Sequence, residues 1–175
     1  MSETPPQSVN PLATDGKLQG ADPAQRPNVQ VEKVYVKDLS LEIPHAPQIY
    51  AEQLQPQLQM QISTQAAKLS DQHYEVTVTA TVTAKAGERT VFLVEVAQAG
   101  IFLLANIPPA DIEPVLGISC PTILYPYLRE SVSDTVMRAG FPAVLLSHMT
   151  FDHLYVQRVQ EQQQQQAAAQ KELTR

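Results

Sequence analysis

Apolar and polar residues alternate through most of the first half of the chain, and the spacing then becomes helical. Val29–Ile43 is rich in Val, Tyr, Leu and Ile and runs into Pro44 and Pro47. Two prolines three apart force an extended crossing segment rather than a tight hairpin. Leu58, Met60 and Ile62 then alternate with Gln57, Gln59, Gln61 and Ser63, a period of two with one apolar face. Tyr74–Ala84 is the clearest strand: Val76, Val78, Ala80 and Val82 point one way and Thr77, Thr79, Thr81 and Thr83 the other. Ala86-Gly87-Glu88 supplies a turn, and Thr90–Leu104 returns as a fourth strand. That strand is apolar on both faces, with Val91 and Leu93 on one and Phe92, Val94 and Val96 on the other. Such a strand is expected to be covered twice, by its own core and by a helix or a second subunit.

Beyond Pro108 the period changes. Ala110–Pro114 reads as a short helical turn among prolines. After Cys120-Pro121, the residues Leu124, Leu128, Val132 and Val136 recur every fourth position and share one helix face. Pro126 falls early in that helix, Gly140 is placed to cap its end, and Pro142 follows. Phe151, Leu154, Tyr155 and Val159 form a second helical stripe. Strands followed by helices predict an α+β domain. Residues 1–28 hold five of the 14 prolines and few large apolar side chains, so they are expected to be a disordered extension to a domain spanning 29–160. Residues 161–175, rich in Gln and Ala, are expected to fray from helix into a flexible tail.

Composition narrows the function. The 175 residues are 43% hydrophobic and 17% charged, which suits one soluble domain with tails. A net charge of -6 argues against nucleic acid, which demands clustered Lys and Arg. The one cysteine excludes an internal disulfide and a multi-cysteine metal site, and fits a reducing compartment. The N-terminus has no basic stretch leading into an apolar run, and no stretch is long enough to span a membrane. The expected location is cytoplasmic, with no direct membrane insertion.

Catalytic and cofactor signals are missing. There is no GxxxxGK[ST] or GxGxxG motif. His45, His73, His148 and His153 stand at no metal-ligand spacing relative to carboxylates. Cys120 precedes a proline at an expected helix start, where the helix dipole can lower a thiol pKa. Its other reading is a small buried apolar group. A chain with no metal, cofactor or catalytic site but with excess apolar surface points to oligomerisation or partner binding.

The order of several segments resembles the SecB family of export chaperones. They are Val34–Pro47 (VYVKDLSLEIPHAP), Phe92–Phe102 (FLVEVAQAGIF), Leu116–Ser131 (LGISCPTILYPYLRES), and Phe141-Pro142 followed by Phe151-Asp152. The resemblance spans roughly Val29 to Gln160. It implies a four-stranded antiparallel sheet with a long crossover connection, then a long helix and a C-terminal helix. It also implies an ATP-independent, non-enzymatic chaperone that holds unfolded preproteins and passes them to the SecA ATPase. The implied homotetramer, a dimer of dimers, would use Val94 and Val96 between sheets and the Leu124, Leu128, Val132 and Val136 helix between dimers. The implied client groove takes Tyr50 and Leu54 from the crossover, Leu58, Met60 and Ile62 from the second strand, and Phe151, Leu154 and Tyr155 from the last helix. Leu54 stands where SecB proteins often carry tryptophan. SecA docking falls to Asp38, Glu42 and Glu95. The alternatives are a SecB-like chaperone dedicated to a toxin–antitoxin partner and, last, a small enzyme using Cys120.

Overall fold

The computed structural model describes residues 26–173, with backbone only at residue 162 and from 165 onward. The expected disordered extension therefore lies, apart from its last three residues, outside the described residues. Four strands form one antiparallel sheet: β1 (Asn28–Glu42), β2 (Gln57–Lys68), β3 (His73–Ala86) and β4 (Arg89–Ala105). Their spatial order is β1-β4-β3-β2, so the connection from β1 to β2 must cross the width of the sheet. Pro44, the cis Ala46–Pro47 peptide and a 3₁₀ turn at Gln48–Ala51 make that crossing, as the proline spacing predicted. Gly87, at φ +61°, closes the β3–β4 hairpin, a conformation that glycine adopts without steric cost.

The helices follow in turn. A short helix α1 (Pro109–Pro114) leads through a π turn (Val115–Ser119) into α2 (Cys120–Arg138), and α3 (Phe151–Leu173) closes the chain. Val115 and Cys120 are both right-handed helical, so the path is continuous from Pro109. Pro121 has no N–H to donate, and the wider turn falls just before it. Gly140 (φ +85°) ends α2 as expected. Its N–H donates to the Met137 carbonyl and that of Phe141 to the Val136 carbonyl, the paired bonds of a Schellman cap. α3 continues through the Gln- and Ala-rich segment to Leu173, the last described residue. Gln and Ala are good helix formers, which accounts for the extension.

α2 lies across β3 and β4. Register puts Val76, Val78, Ala80 and Val82 on one face with Val94, Val96 and Phe102, and all are buried beneath the helix. Gly100 lets α2 approach: a Cβ there would meet Leu124 Cδ2 and Phe102 Cε2 at 2.9 Å and the Lys33 carbonyl at 3.1 Å.

This packing corrects the assembly assignment. Val94, Val96, Leu124, Leu128, Val132 and Val136 are all 0% exposed within one chain. They form the sheet–helix core and have no surface for a second subunit. The apolar face of β4 that one helix does not cover is the opposite one, with Leu93, Ile101 and Leu103.

Candidate functional site

The sheet's helix-facing surface is wider than the helix. Leu58, Met60 and Ile62 pair with Ala84, Val82 and Ala80, so they lie on the core face of the sheet. They belong to an edge strand beyond the reach of α2, and Leu58 is 52% and Met60 44% exposed. The opposite edge repeats this arrangement. Val36 and Leu39 of β1 pair with Gln98 and Val96 on the core face, yet stay 46% and 45% exposed.

Two hollows adjoin the β2 stripe. The first, about 340 Å³, lies beneath the crossover; Ile49, Tyr50, Leu54 and Leu58 form one wall and Val91, Phe92 and Gly140–Val144 the other. Phe141 is its aromatic centre, with ring centroids 5.3 Å from Tyr50 and 4.9 Å from Phe92. The Schellman cap aims Phe141 here, because the residue after the capping glycine packs back toward the helix. Tyr50 also donates its hydroxyl to the Ala139 carbonyl at 2.8 Å, tying the crossover to the end of α2. At the rim Arg89 donates twice to Glu52, at 2.9 and 3.0 Å, and this pairing holds the Glu52 carboxyl below its ordinary value.

The second hollow, about 290 Å³, runs between β2 and α3 and is lined by Ile62, Ser63, Thr64, Leu154, Gln157, Arg158 and Glu161. Tyr50, Leu54 and Leu58 thus meet at one cavity and Ile62 and Leu154 at the other, with Met60 between them on the same strand face. Two groove candidates are placed elsewhere. Phe151 is fully buried, edge-on to Tyr125 at 5.6 Å, and offers no surface. Tyr155 lies against Gly117, where no Cβ could be fitted, and supports Arg158 from behind. Phe92 and Phe141 were legible as a strand residue and a post-cap residue, but alternation and periodicity carry no sign that distant segments meet.

The other face of the sheet is rich in Thr and Gln. Asp38, Ser40 and Glu42 oppose Ala97, Glu95 and Leu93, so Asp38, Glu42 and Glu95 share this face on neighbouring strands. Thr81 donates to Glu95 at 2.7 Å across the β3–β4 ladder. Further along, Glu75 accepts from Tyr35 and, at 2.6 Å, from Lys37, and both donors hold its carboxyl below the ordinary range.

Cys120 is fully buried, and burial pushes its thiol up to about 12. The helical path begins upstream at Pro109, so Cys120 does not stand at the free N-terminus that a lowered pKa would need. Among the described residues no three His, Cys, Asp or Glu side chains cluster as metal ligands, and no helix is long and apolar enough to cross a membrane.

Comparison with known proteins gives a consistent result. The family described as preprotein translocase subunit SecB matches residues 22–162. A protein-export protein SecB of Methylobacillus flagellatus is 55% identical over 144 residues, covering 82% of this chain and 92% of that protein. Those of Chromobacterium violaceum and Thiobacillus denitrificans are 54% and 52% identical, covering 82% and 84% of this chain and 93% and 97% of theirs. Among solved structures, the SecB-like chaperone of Mycobacterium tuberculosis, in complex with a ChAD peptide from an antitoxin, shares the fold. Its TM-score is 0.55 at 17% identity, covering 70% of this chain and 91% of that one.

Proposed function

The chain belongs to the SecB family of export chaperones, and from that premise we propose that it holds unfolded preproteins along its β2 edge and delivers them to SecA. The observation that carries this reading is the exposed Leu58–Met60 stripe joining two hollows on one face of an edge strand. An unfolded segment laid along it can bury apolar side chains in the hollows and pair its backbone with the free strand edge. Neither contact demands a fixed sequence, so many clients fit one surface. No nucleotide is required for holding.

The acidic group Asp38, Glu42 and Glu95 stands on the opposite face of the sheet. A basic SecA segment can dock there while a client occupies the other face, and the separation lets both bind together. Assembly as a homotetramer in the cytoplasm fits the second stripe. Val31, Val36 and Leu39 on β1, with Ile123 and Tyr127 on the outward side of α2, are exposed apolar groups in the single chain. The antitoxin-bound neighbour shares only the fold with this chain, whereas the export relatives are identical to it at more than half of the aligned positions, so export is the leading reading.

The test is Asp38→Lys combined with Glu42→Lys. The double variant is expected to lose SecA binding while suppressing client aggregation as the wild type does without ATP. Equal loss of both activities would trace the effect to misfolding and defeat the docking assignment. Failure of the wild type to hold any of several unfolded clients would defeat the chaperone reading itself.

A further inference from the structure

The β2–α3 hollow contains one side chain with unfinished hydrogen bonding. Arg158 lines it, and its Nε is shielded from solvent without an acceptor. The nearest carboxylate oxygen, Glu113 Oε2, stands 4.0 Å from a terminal nitrogen, too far for a hydrogen bond. The guanidinium is held by packing instead. It lies 5.7 Å from the centroid of the Tyr155 ring, and a terminal nitrogen sits where a Cβ on Gly117 would approach to 3.4 Å. A buried donor without a partner costs stability comparable to a lost hydrogen bond, so an acceptor brought by a ligand is strongly favoured. The side chain keeps 33% of its surface exposed and already lines the hollow, so a ligand there can reach it.

The surroundings decide which acceptor fits. Glu161 lines the same hollow and Glu113 flanks the guanidinium, so an added carboxylate would meet two acidic neighbours. A neutral carbonyl would not. An extended segment along an edge strand pairs only one row of its backbone groups, leaving the other row open. We propose that Arg158 is a main-chain clamp, donating to a backbone carbonyl of an extended client whose apolar side chain packs on Ile62 and Leu154. This rests on the holdase reading and refines it, because the clamp adds affinity without adding sequence preference.

The experiment uses the full-length protein and an unfolded, fluorescently labelled peptide free of carboxylate side chains. A second peptide series replaces single amides by esters, whose carbonyls are weaker acceptors. Wild type, Arg158→Met and Arg158→Lys are compared by anisotropy, with native mass and circular dichroism as fold controls. Arg158→Met is expected to weaken the amide peptide by about tenfold, with Arg158→Lys recovering part of that loss. One ester position should weaken binding to the wild type but leave Arg158→Met unchanged, the signature of a coupled pair. Equal ester effects in wild type and variant would overturn the proposal. So would a loss seen only with peptides bearing Glu in place of Gln, which would make the ligand a carboxylate. If the peptide failed to bind the wild type at all, the holdase reading would fall first; equal binding by wild type and Arg158→Met would sink the clamp alone.

Discussion

Leu128→Ala tests whether the apolar stripe of α2 is core rather than assembly surface. Leu128 has no exposed surface in the single chain and sits between Leu124 and Val132 on the face of α2 that covers β3 and β4. The truncation removes three carbons, about 2.4 kcal/mol at ~0.8 kcal/mol per methylene. Incomplete collapse around the vacated space adds to this, so a loss of about 3 kcal/mol is expected. That is a large part of the ~5–15 kcal/mol that holds a domain folded. Urea unfolding at two protein concentrations about a hundredfold apart, with native mass measured alongside, reads the effect. The difference between wild type and variant should be the same at both concentrations, and the folded variant should keep its assembly state. Tyr127→Ala, on the outward face of the same helix and 51% exposed, is the counterpart. It should alter the concentration dependence more than the stability of the single chain. A Leu128→Ala loss that changed with concentration, or a stable but dissociated variant, would refute the core assignment.

Three further outcomes follow from the same packing. Phe141→Ala removes the ring between Tyr50 and Phe92; stability should fall by about 2 kcal/mol and affinity for an aromatic client peptide roughly fivefold, read by denaturation and anisotropy. Unchanged affinity would place clients outside the crossover hollow. Glu75 has a folded pKa depressed below its ordinary 4.5 by Lys37 and Tyr35. Its contribution is therefore fully present above the unfolded value and lost as pH falls through the folded one, so Glu75→Gln should flatten the acid limb of the stability–pH curve below about pH 5. An identical limb would mean that the cluster adds nothing. Finally, Cys120 should resist alkylation at neutral pH in the native protein and react readily in urea, and Cys120→Ala should retain client holding at a cost of about 1 kcal/mol. Rapid native alkylation would contradict its burial.

Strand alternation and helical periodicity located every major element, because each reports on a residue's own face. The Val/Thr alternation of β3 and the fourfold repeat of α2 survive as buried faces at the predicted positions. Partnership between faces is a different kind of information. Leu124, Leu128, Val132 and Val136 show which side of the helix is apolar, not whether a sheet or another helix will cover it, and the sheet of the same chain does. Likewise Phe151 carries the same pattern as Leu154, yet Tyr125 and the core enclose the first while the second borders a hollow. Arg158 gave no signal of its own in the sequence, since a cation on a polar helix is ordinarily solvated.

The exposure of both edge stripes follows from dimensions. An α-helix with side chains is about 10–12 Å across, and strands lie about 4.8 Å apart. A single helix therefore covers about two strands of a sheet, and here those are the central pair, β3 and β4. Both edge strands keep their core-facing residues in view, and each could have used polar residues there, as β2 does on its other face with Gln57, Gln59 and Gln61. Instead the chain places Val31, Val36 and Leu39 on one edge and Leu58 and Met60 on the other. Apolar residues half exposed at such positions add little to the packing of the single chain and raise the hazard of aggregation. Their presence at both edges is explained only if each stripe is covered in use. The β2 stripe adjoins two open hollows, whereas Val31, Val36 and Leu39 of the β1 stripe line none of the four hollows of about 290–340 Å³. Open hollows suit occupants of varied shape that come and go, whereas a stripe without them suits one fixed complementary surface. That asymmetry supports the proposal that clients take β2 and assembly takes β1.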